Sequence, residues 1–513
     1  MSCTVRKEKR IEPNWYWFLI IAVIGLALRL TELGKQSLWL DEMTSIQVAL
    51  KPLEKILTGQ GFDNFTPPLY YVLLHFWSRL VPLTEVTLRL PSAIIDFCNI
   101  FLLIALSRRF ISKTATFLVV SAYAISPFML YYSQEGRMYT LAVFFALAFC
   151  LALERVVRAE THLIPWTFIS GVLLALGVYT HYYIAFFAVG VMSLAVFVIR
   201  HSPKRILLVL LSGITGVLLF APWIPVVKVL VETGSQNFRK FIFTVIPYAY
   251  FRFVVGYAVF PLNMYTKEHF LPEVLSHAPH IIAVFGTLLF LLYNIIIDAG
   301  KKKLLFITSL FLIVAIPLLI GLLRSLKSPM LSERYLIITL PFFFLLFLGC
   351  LDIGYIRAKM AVIIFFVLMI AGDLAYFMNP DFGKAQWREA AGYVTSIAGE
   401  KDVIFIEPEY VSPVFQYYFR GNRTLHPSIL KYLKEDIQSP QNNRSGEITK
   451  KGRAILVTSG NEPGKGYTRV LSNIANKRKT KIFPLETGII CTIWEFKKNH
   501  SLAEFEVYRA EGY

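Results

Sequence analysis

Charge is scarce in this chain. Only 17% of its 513 residues are Asp, Glu, Lys or Arg, where a soluble protein of that length carries about a quarter. Cysteine is scarcer still. The five cysteines (Cys3, Cys98, Cys150, Cys350 and Cys491) are scattered, without pairing motif or metal-ligand spacing. They suggest neither a disulfide framework nor a zinc site. The first apolar run lacks a small-residue cleavage site after it, so a retained helix is expected there and not a signal peptide. Internal repeats are missing too. What the chain has in abundance is apolar surface: 56% of residues are hydrophobic and 15% aromatic, with a mean hydropathy of +0.55. This is the composition of a polytopic membrane protein. The net charge of +18 is then better explained by topology than by nucleic acid, which is not expected as a partner.

Spanning helices are expected near 15–33, 91–107, 114–132, 138–154, 166–180, 183–199, 206–227, 280–298, 304–323, 335–350 and 360–378. About eleven spans put the termini on opposite sides. With the N-terminus inside, every internal segment is basic: Arg6/Lys7/Lys9/Arg10, Arg108/Arg109/Lys113, Arg155/Arg158, Arg200/Lys204/Arg205, Lys301/Lys302/Lys303 and Arg357/Lys359. The short opposite loops at 133–137 and 181–183 hold only Arg137. The positive-inside rule therefore predicts a multi-pass protein of the cell membrane with a cytoplasmic N-terminus. Loops 34–90, 228–278 and 324–334 and the tail from Asn379 fall outside the cytoplasm.

The first external loop carries its own pattern. SLWLDEMTS (37–45) brings two adjacent carboxylates, Asp41 and Glu42, to where the chain leaves the lipid. Apolar residues at Ile46, Ala49, Leu50, Leu53, Ile56 and Leu57 then follow a helical face, which predicts a helix in the membrane surface with Asp41 as its cap. NFTPPLYYVLLHFWSRL (64–80) predicts a second interfacial helix starting at Pro67 and Pro68. The tail changes character. Helices over 386–398 and 411–419 alternate with strands over 402–408, 453–459 and 489–496, which predicts a small α/β extracytoplasmic domain over 379–513. The transmembrane domain is then 1–378. The tail holds no glycine-rich phosphate loop.

Charged groups at the membrane ends opposite the basic side need a reason. Asp41 and Glu42 are the first such group. YYSQEGRMY (131–139) places Gln134, Glu135 and Arg137 within about a turn, THYY (180–183) sets His181 at a helix end, and SERY (332–335) supplies Glu333, Arg334 and Tyr335. Each has a plain alternative: a helix cap at Asp41, a snorkelling Arg137 paired with Glu135, a satisfied helix-end His181, an aromatic-belt Tyr335. Taken together they predict one outer cavity holding carboxylates, two arginines and a phenol. Such a cavity suits chemistry on an anion, because a guanidinium matches phosphate oxygens with a planar fork of donors.

The order LRLTELGKQSLWLDE, NFTPPLYYVLLHFW, LRLPSAI, YSQEGRMY, THYY, ERYLIITLPFF and QWREAAGYV resembles the membrane glycosyltransferases of the GT-C class. These include the protein O-mannosyltransferases, the lipid A aminoarabinose transferases and their bacterial and archaeal relatives. The resemblance covers about three quarters of the chain, the spans and the start of the tail; the D-E pair and the PPLYY helix are its most specific marks. It implies an inverting transfer of one sugar from a polyprenyl phosphate donor to a protein, lipid or glycan acceptor outside the cytoplasm. Asp41 matches the family's first-loop aspartate, the proposed general base, with Glu42 as its partner or as an acceptor or metal contact. Arg137 and Tyr335 match positions associated with the lipid phosphate. Gln134, Glu135, His181 and Arg334 complete the expected binding set.

There is one departure. Thr66 stands before the proline pair, where relatives often carry lysine or histidine. In the aminoarabinose transferases that neighbourhood supplies a metal-binding glutamate and a phosphate-binding lysine. Their absence puts a divalent metal ion at that place in question and shifts phosphate binding onto the arginines. No metal ligand and no cofactor is assigned.

The residue types fit the chemistry. A sugar on a phosphate has a good leaving group, so the demand falls on deprotonating the acceptor and stabilising the departing charge. A lipid-linked saccharide flippase would instead show repeats and ionisable groups near the bilayer centre. A polysaccharide polymerase or ligase would carry its arginines in a large late loop, without an early D-E pair. A scaffold without chemistry leaves the outer charges unexplained.

Overall fold

The computed structural model describes residues 13–59, 66–233, 245–257, 274–297, 301–325, 331–351, 354–378, 384–400, 402–421, 425–426, 453–459, 475–483 and 489–496. The chain packs as two units: Met1–Leu33 with Thr44–Met378, and Gly34–Met43 with Asn379–Tyr513.

The first unit is helical. Six helices are long and apolar enough to cross a bilayer among the described residues, or seven when the pair Lys113–Ala124 and Pro127–Ser133, bent by 52°, counts as one span. Trp15–Leu30, Leu163–Val178, Tyr183–Val198 and Val245–Val255 are shorter apolar helices. The chain is a multi-pass membrane protein, and eleven spans are not reached by length alone.

Several elements differ from expectation for local reasons. The surface helix is two helices, Leu40–Ala49 and Leu53–Thr58, because Pro52 lacks the N–H to continue the first. Asp41 does not cap it. The helix starts one residue earlier, at Leu40, and Asp41 lies in the first turn, where a carboxylate still suits the helix dipole. The third span breaks at Ser126, whose side chain accepts from the Met129 N–H ahead of Pro127 at the new N-terminus. The tenth span is wound three ways: a 3-10 helix over Glu333–Thr339, an α-helix over Leu340–Phe344 and a π-helix over Leu345–Gly349. Pro341 cannot donate back to Ile337, and the Leu340 N–H bonds that carbonyl instead. An unexpected helix, Val245–Val255, occupies the loop after the seventh span.

Small residues bring spans into close contact. Helix Pro203–Phe220 packs along Leu163–Val178, and a Cβ on Gly171 would stand 2.6 Å from the Thr215 Cβ. The Ser170 and Ser212 hydroxyls bond across the same contact at 2.5 Å. Leu207, Leu210, Ile214, Val217 and Leu218 on the same helix are exposed and form a lipid-facing side.

A buried ion pair pins the first three spans. Arg29 Nε donates to Asp96 Oδ2 at 2.6 Å with both side chains inaccessible. Nη1 donates to the carbonyls of Gly25 and Ala124, each at 2.8 Å. Tyr123 OH donates to Asp96 Oδ1 at 2.5 Å, and the Asn99 amide adds a donor at 3.2 Å.

The second unit contains a five-stranded mixed sheet: β1 Val403–Glu407, β2 Leu425–His426, β3 Arg453–Ser459, β4 Ala475–Phe483 and β5 Ile489–Phe496, in the order β2-β1-β3-β5-β4. β1 runs parallel to β2 and β3, while β5 is antiparallel to β3 and β4. Helices Trp387–Ile397 and Ser412–Tyr418 accompany it. Residues 34–38 are tied to this part of the chain one after another. Arg388 donates to the carbonyls of Gly34 (3.3 Å) and Lys35 (3.0 Å), and the Lys384 N–H bonds the Gln36 side chain at 3.0 Å. Ser37 Oγ donates to Glu389 at 2.9 Å and the Leu38 N–H bonds the Tyr418 hydroxyl at 2.7 Å.

Breaking the Arg29–Asp96 pair on one side leaves a buried charge. Arg29→Met should cost about 3–5 kcal/mol of stability, and Arg29→Met with Asp96→Leu should recover much of it. Thermal unfolding in detergent reads both. A midpoint of the single variant equal to that of the parent would end the pinning role.

Candidate active site

Arg137 is placed by a tight turn. Between helix Pro127–Ser133 and helix Tyr139–Arg158 the Arg137 N–H bonds the Glu135 carbonyl at 2.8 Å. The turn passes so close to helix Glu85–Ser107 that a Cβ on Gly136 would meet Leu88 Cγ at 2.4 Å, which leaves room for glycine alone. Ser92 of that helix bonds the Arg137 carbonyl at 3.2 Å and the Tyr70 hydroxyl at 2.7 Å. The Arg137 side chain is 4% exposed. Its guanidinium donates to Tyr71 OH at 2.9 Å, Ser45 Oγ at 3.4 Å and Thr66 Oγ1 at 3.1 Å. Thr66, the departure from the family pattern, thus touches the arginine expected to replace the missing lysine.

The turn between Leu163–Val178 and Tyr183–Val198 delivers His181, buried at 6% exposure. Its ring centroid lies 5.1 Å from that of Tyr335, 5.7 Å from Tyr183 and 6.2 Å from Tyr139. Nδ1 accepts the Tyr183 N–H at 3.2 Å, which leaves the neutral ring's proton on Nε2. Burial, with the fields of Arg334 and Arg137 added, pushes its pKa down to about 3. Those two guanidiniums are thus close enough to act on one imidazole. Arg334 itself lies 5.6 Å from the Tyr335 ring centre.

In the 3-10 winding of Glu333–Thr339, with about three residues per turn, successive side chains leave about 120° apart. Tyr335 accordingly meets His181 and Tyr183, while Glu333 accepts from Tyr257 OH at 3.4 Å. Tyr257 continues to Tyr132 OH at 2.6 Å, whose ring stacks edgewise on Tyr139 at 4.7 Å. Arg252 joins this aromatic wall. It is fully buried, 4.2 Å from the ring centre of Tyr257 and 4.5 Å from that of Tyr248, and it bonds the Gly256 carbonyl at 3.2 Å. Sequence reasoning missed it, although a lone charge in YAYFRFVVGY was the available signal.

Arg137, His181, Arg334 and Tyr335 are brought together, and Glu135 acts with both arginines and Tyr335 on the Tyr139 phenol; Gln134 serves otherwise, and Asp41 and Glu42 belong to the second unit. Gln134 Nε2 donates to the carbonyls of Leu28 (3.2 Å), Arg29 (3.2 Å) and Thr31 (2.7 Å), and its Oε1 accepts from Tyr376 OH at 2.9 Å. It closes the end of the first helix. Glu135 is wholly buried. In the second unit, Asp41 is partly exposed, whereas Glu42 is inaccessible and pairs with Lys384 Nζ at 3.2 Å. Among the described residues no three His, Cys, Asp or Glu side chains gather as a metal site.

The family model described as dolichyl-phosphate-mannose-protein mannosyltransferase matches residues 66–225, the stretch that holds Thr66, Tyr71, Arg137 and His181. In structure the chain is similar to ArnT from Cupriavidus metallidurans bound to undecaprenyl phosphate, with a TM-score of 0.51 at 11% identity over 94% of this chain and 98% of that one. The chain has a GT-C glycosyltransferase fold. A second likeness, to the oligosaccharyltransferase of Archaeoglobus fulgidus in complex with zinc and sulfate, has a TM-score of 0.46 at 12% identity over 86% of this chain and 67% of that one, too slight to add to it. No curated protein matches this chain in sequence.

His181 makes the stability of this protein depend on pH. The unfolded ring titrates near 6.5 and the native ring near 3, so below about 6.5 the unfolded state takes up a proton that the native state refuses. Stability is full above that pH and falls by about 1.4 kcal/mol per unit as the medium is acidified toward 3. Thermal midpoints in detergent at pH 7 and pH 5 should therefore differ less in His181→Gln than in the parent. An unchanged difference would show that His181 already accepts a proton in the native state.

Proposed function

We propose that this protein is an inverting glycosyltransferase that moves a sugar from a polyprenyl-phosphate donor to a protein, lipid or glycan acceptor on the non-cytoplasmic face. In this reading the chain crosses the membrane eleven times from a cytoplasmic N-terminus, and the sheet-containing part is extracytoplasmic. The observation that supports it most is the pair of cations around His181. One is Arg137, buried and bonded to three hydroxyls; the other is Arg334. Both act on an imidazole that burial keeps neutral. Such a place favours a ligand with delocalised negative charge, and lipid phosphate is the anion the GT-C fold suggests.

Arg137 and Arg334 are assigned to the leaving phosphate, with Tyr335 as a further donor. Neutral His181 can offer Nε2–H without adding charge. Asp41 is assigned as general base. It stands four residues before Ser45 on the helix Leu40–Ala49. In the transfer the acceptor O–H proton passes to the Asp41 carboxylate and the acceptor oxygen bonds the anomeric carbon. The anomeric carbon–phosphate oxygen bond breaks, and polyprenyl phosphate departs with the electron pair. Displacement from the face opposite the leaving group inverts the anomeric centre. Gln134 and Glu42 have structural work here and are left out of the reacting set.

Arg137→Ala should lower turnover of a polyprenyl-phosphate sugar by roughly a hundredfold, the cost of one donor to a transition-state anion. Arg357→Ala, which removes a bond to Asn294 (3.0 Å), should leave it near normal. Equal activity of the two variants would take Arg137 out of the site. Asp41→Asn keeps size and cannot accept a proton, so transfer should fall by about 10²–10⁴ while donor binding persists. Near-normal turnover by the folded variant would end the base assignment. Mass spectrometry of lipid-linked sugars and products, after gene deletion and restoration, identifies donor and acceptor.

A further inference from the structure

We propose that Lys384 is a positioning residue for the transfer, holding Glu42 and thereby the first turn of the helix that carries Asp41; this rests on the assignment of Asp41 as base. Lys384 Nζ lies 3.2 Å from Glu42 Oε1, with the two side chains 1% and 0% exposed. Burying both charges carries a desolvation cost that the pair's attraction roughly offsets, so such a pair contributes little net stability and is better explained by the geometry it specifies. Glu42 is followed by Met43, itself 5% exposed. Two buried neighbours fix the rotation of the helix about its axis. Asp41 precedes them, leaves the helix about 100° from Glu42 and is partly exposed, which suits a side chain that must reach an acceptor. The run of bonds from Gly34 to Leu38 holds the approach to that turn, so the lysine completes a clamp made by the chain's distant part.

A clamp of this kind differs from a merely structural contact in what it changes. Misplacing a base by about 1 Å can cost a hundredfold in rate without weakening donor binding. Purified protein in detergent would be assayed with polyprenyl-phosphate-linked mannose, glucose and pentose as probe donors. For each donor turned over, Lys384→Met and Glu42→Gln should each lower kcat by about ten- to a hundredfold with KM for the donor within about twofold. Lys384→Arg should restore much of the loss. The double variant Glu42→Gln/Lys384→Met should be no worse than the poorer single one, because both cut the same link. Should Lys384→Met fail to fold, Lys384→Arg and the double variant carry the comparison.

Hydrogen–deuterium exchange needs no donor and decides independently. The peptide over residues 38–48 should exchange at least about tenfold faster in Lys384→Met, with the spans unchanged. A kcat within about twofold of the parent, or unchanged exchange over 38–48, overturns the proposal. Asp41→Asn separates it from the reading on which it rests. If that variant is inactive while Lys384→Met is normal, the clamp fails and the base stands. If Asp41→Asn is normal, the base falls and with it the positioning role of Lys384.

Discussion

A charge buried in a membrane span must be answered where it stands, and here Asp96 answers Arg29. The pair engages the first helix, the second span and, through Tyr123 and the Ala124 carbonyl, the third. Much else follows from that anchorage. The end of the first helix is held open to Gln134, whose amide closes three of its carbonyls. Gln134 in turn sits at the start of the turn that delivers Arg137. Gln134 thus links the end of the helix that carries Arg29 to the turn that carries Arg137.

The candidate site works by the same logic with the opposite outcome. Arg137 donates to hydroxyls of Tyr71, Ser45 and Thr66, which orient a cation without cancelling its field. Beside it His181 is kept uncharged by burial and by the cations themselves. Donors fixed in this way would not have to reorganise to meet an anion. Thr66, the residue before the proline pair, adds a hydroxyl to this set and no charge.

How much of this was legible in the sequence depends on the physics that wrote it. A bilayer demands apolar length, so the spans show as runs, and helices appear close to each expected place. Local chemistry was less visible. Pro52 and Pro341 signalled breaks that composition alone averages away, and Asp41 resembled a cap because helix starts are uncertain by a residue or two. Pairings across long distances left no trace. Lys384 and Glu42 are separated by 342 positions, and no periodicity links them. Arg252 was hidden by the assumption that a segment between spans is a loop. Strand β4, ANKRKTKIF, is too polar to register as a strand, since its place is given by ladder pairing with β5 and not by its own pattern.

The winding of residues 333–349 has a consequence for reach. A 3-10 helix rises about 2.0 Å per residue against about 1.5 Å in an α-helix, so Glu333–Thr339 extends about 3.5 Å further than the same seven residues would in an α-helix. The element covers depth with fewer residues, as a stretched spring does. Its length therefore depends on how it is wound as well as on residue count. A change between 3-10 and α winding would move Glu333, Arg334 and Tyr335 along the helix axis and turn them about it at once, with no residue inserted or lost.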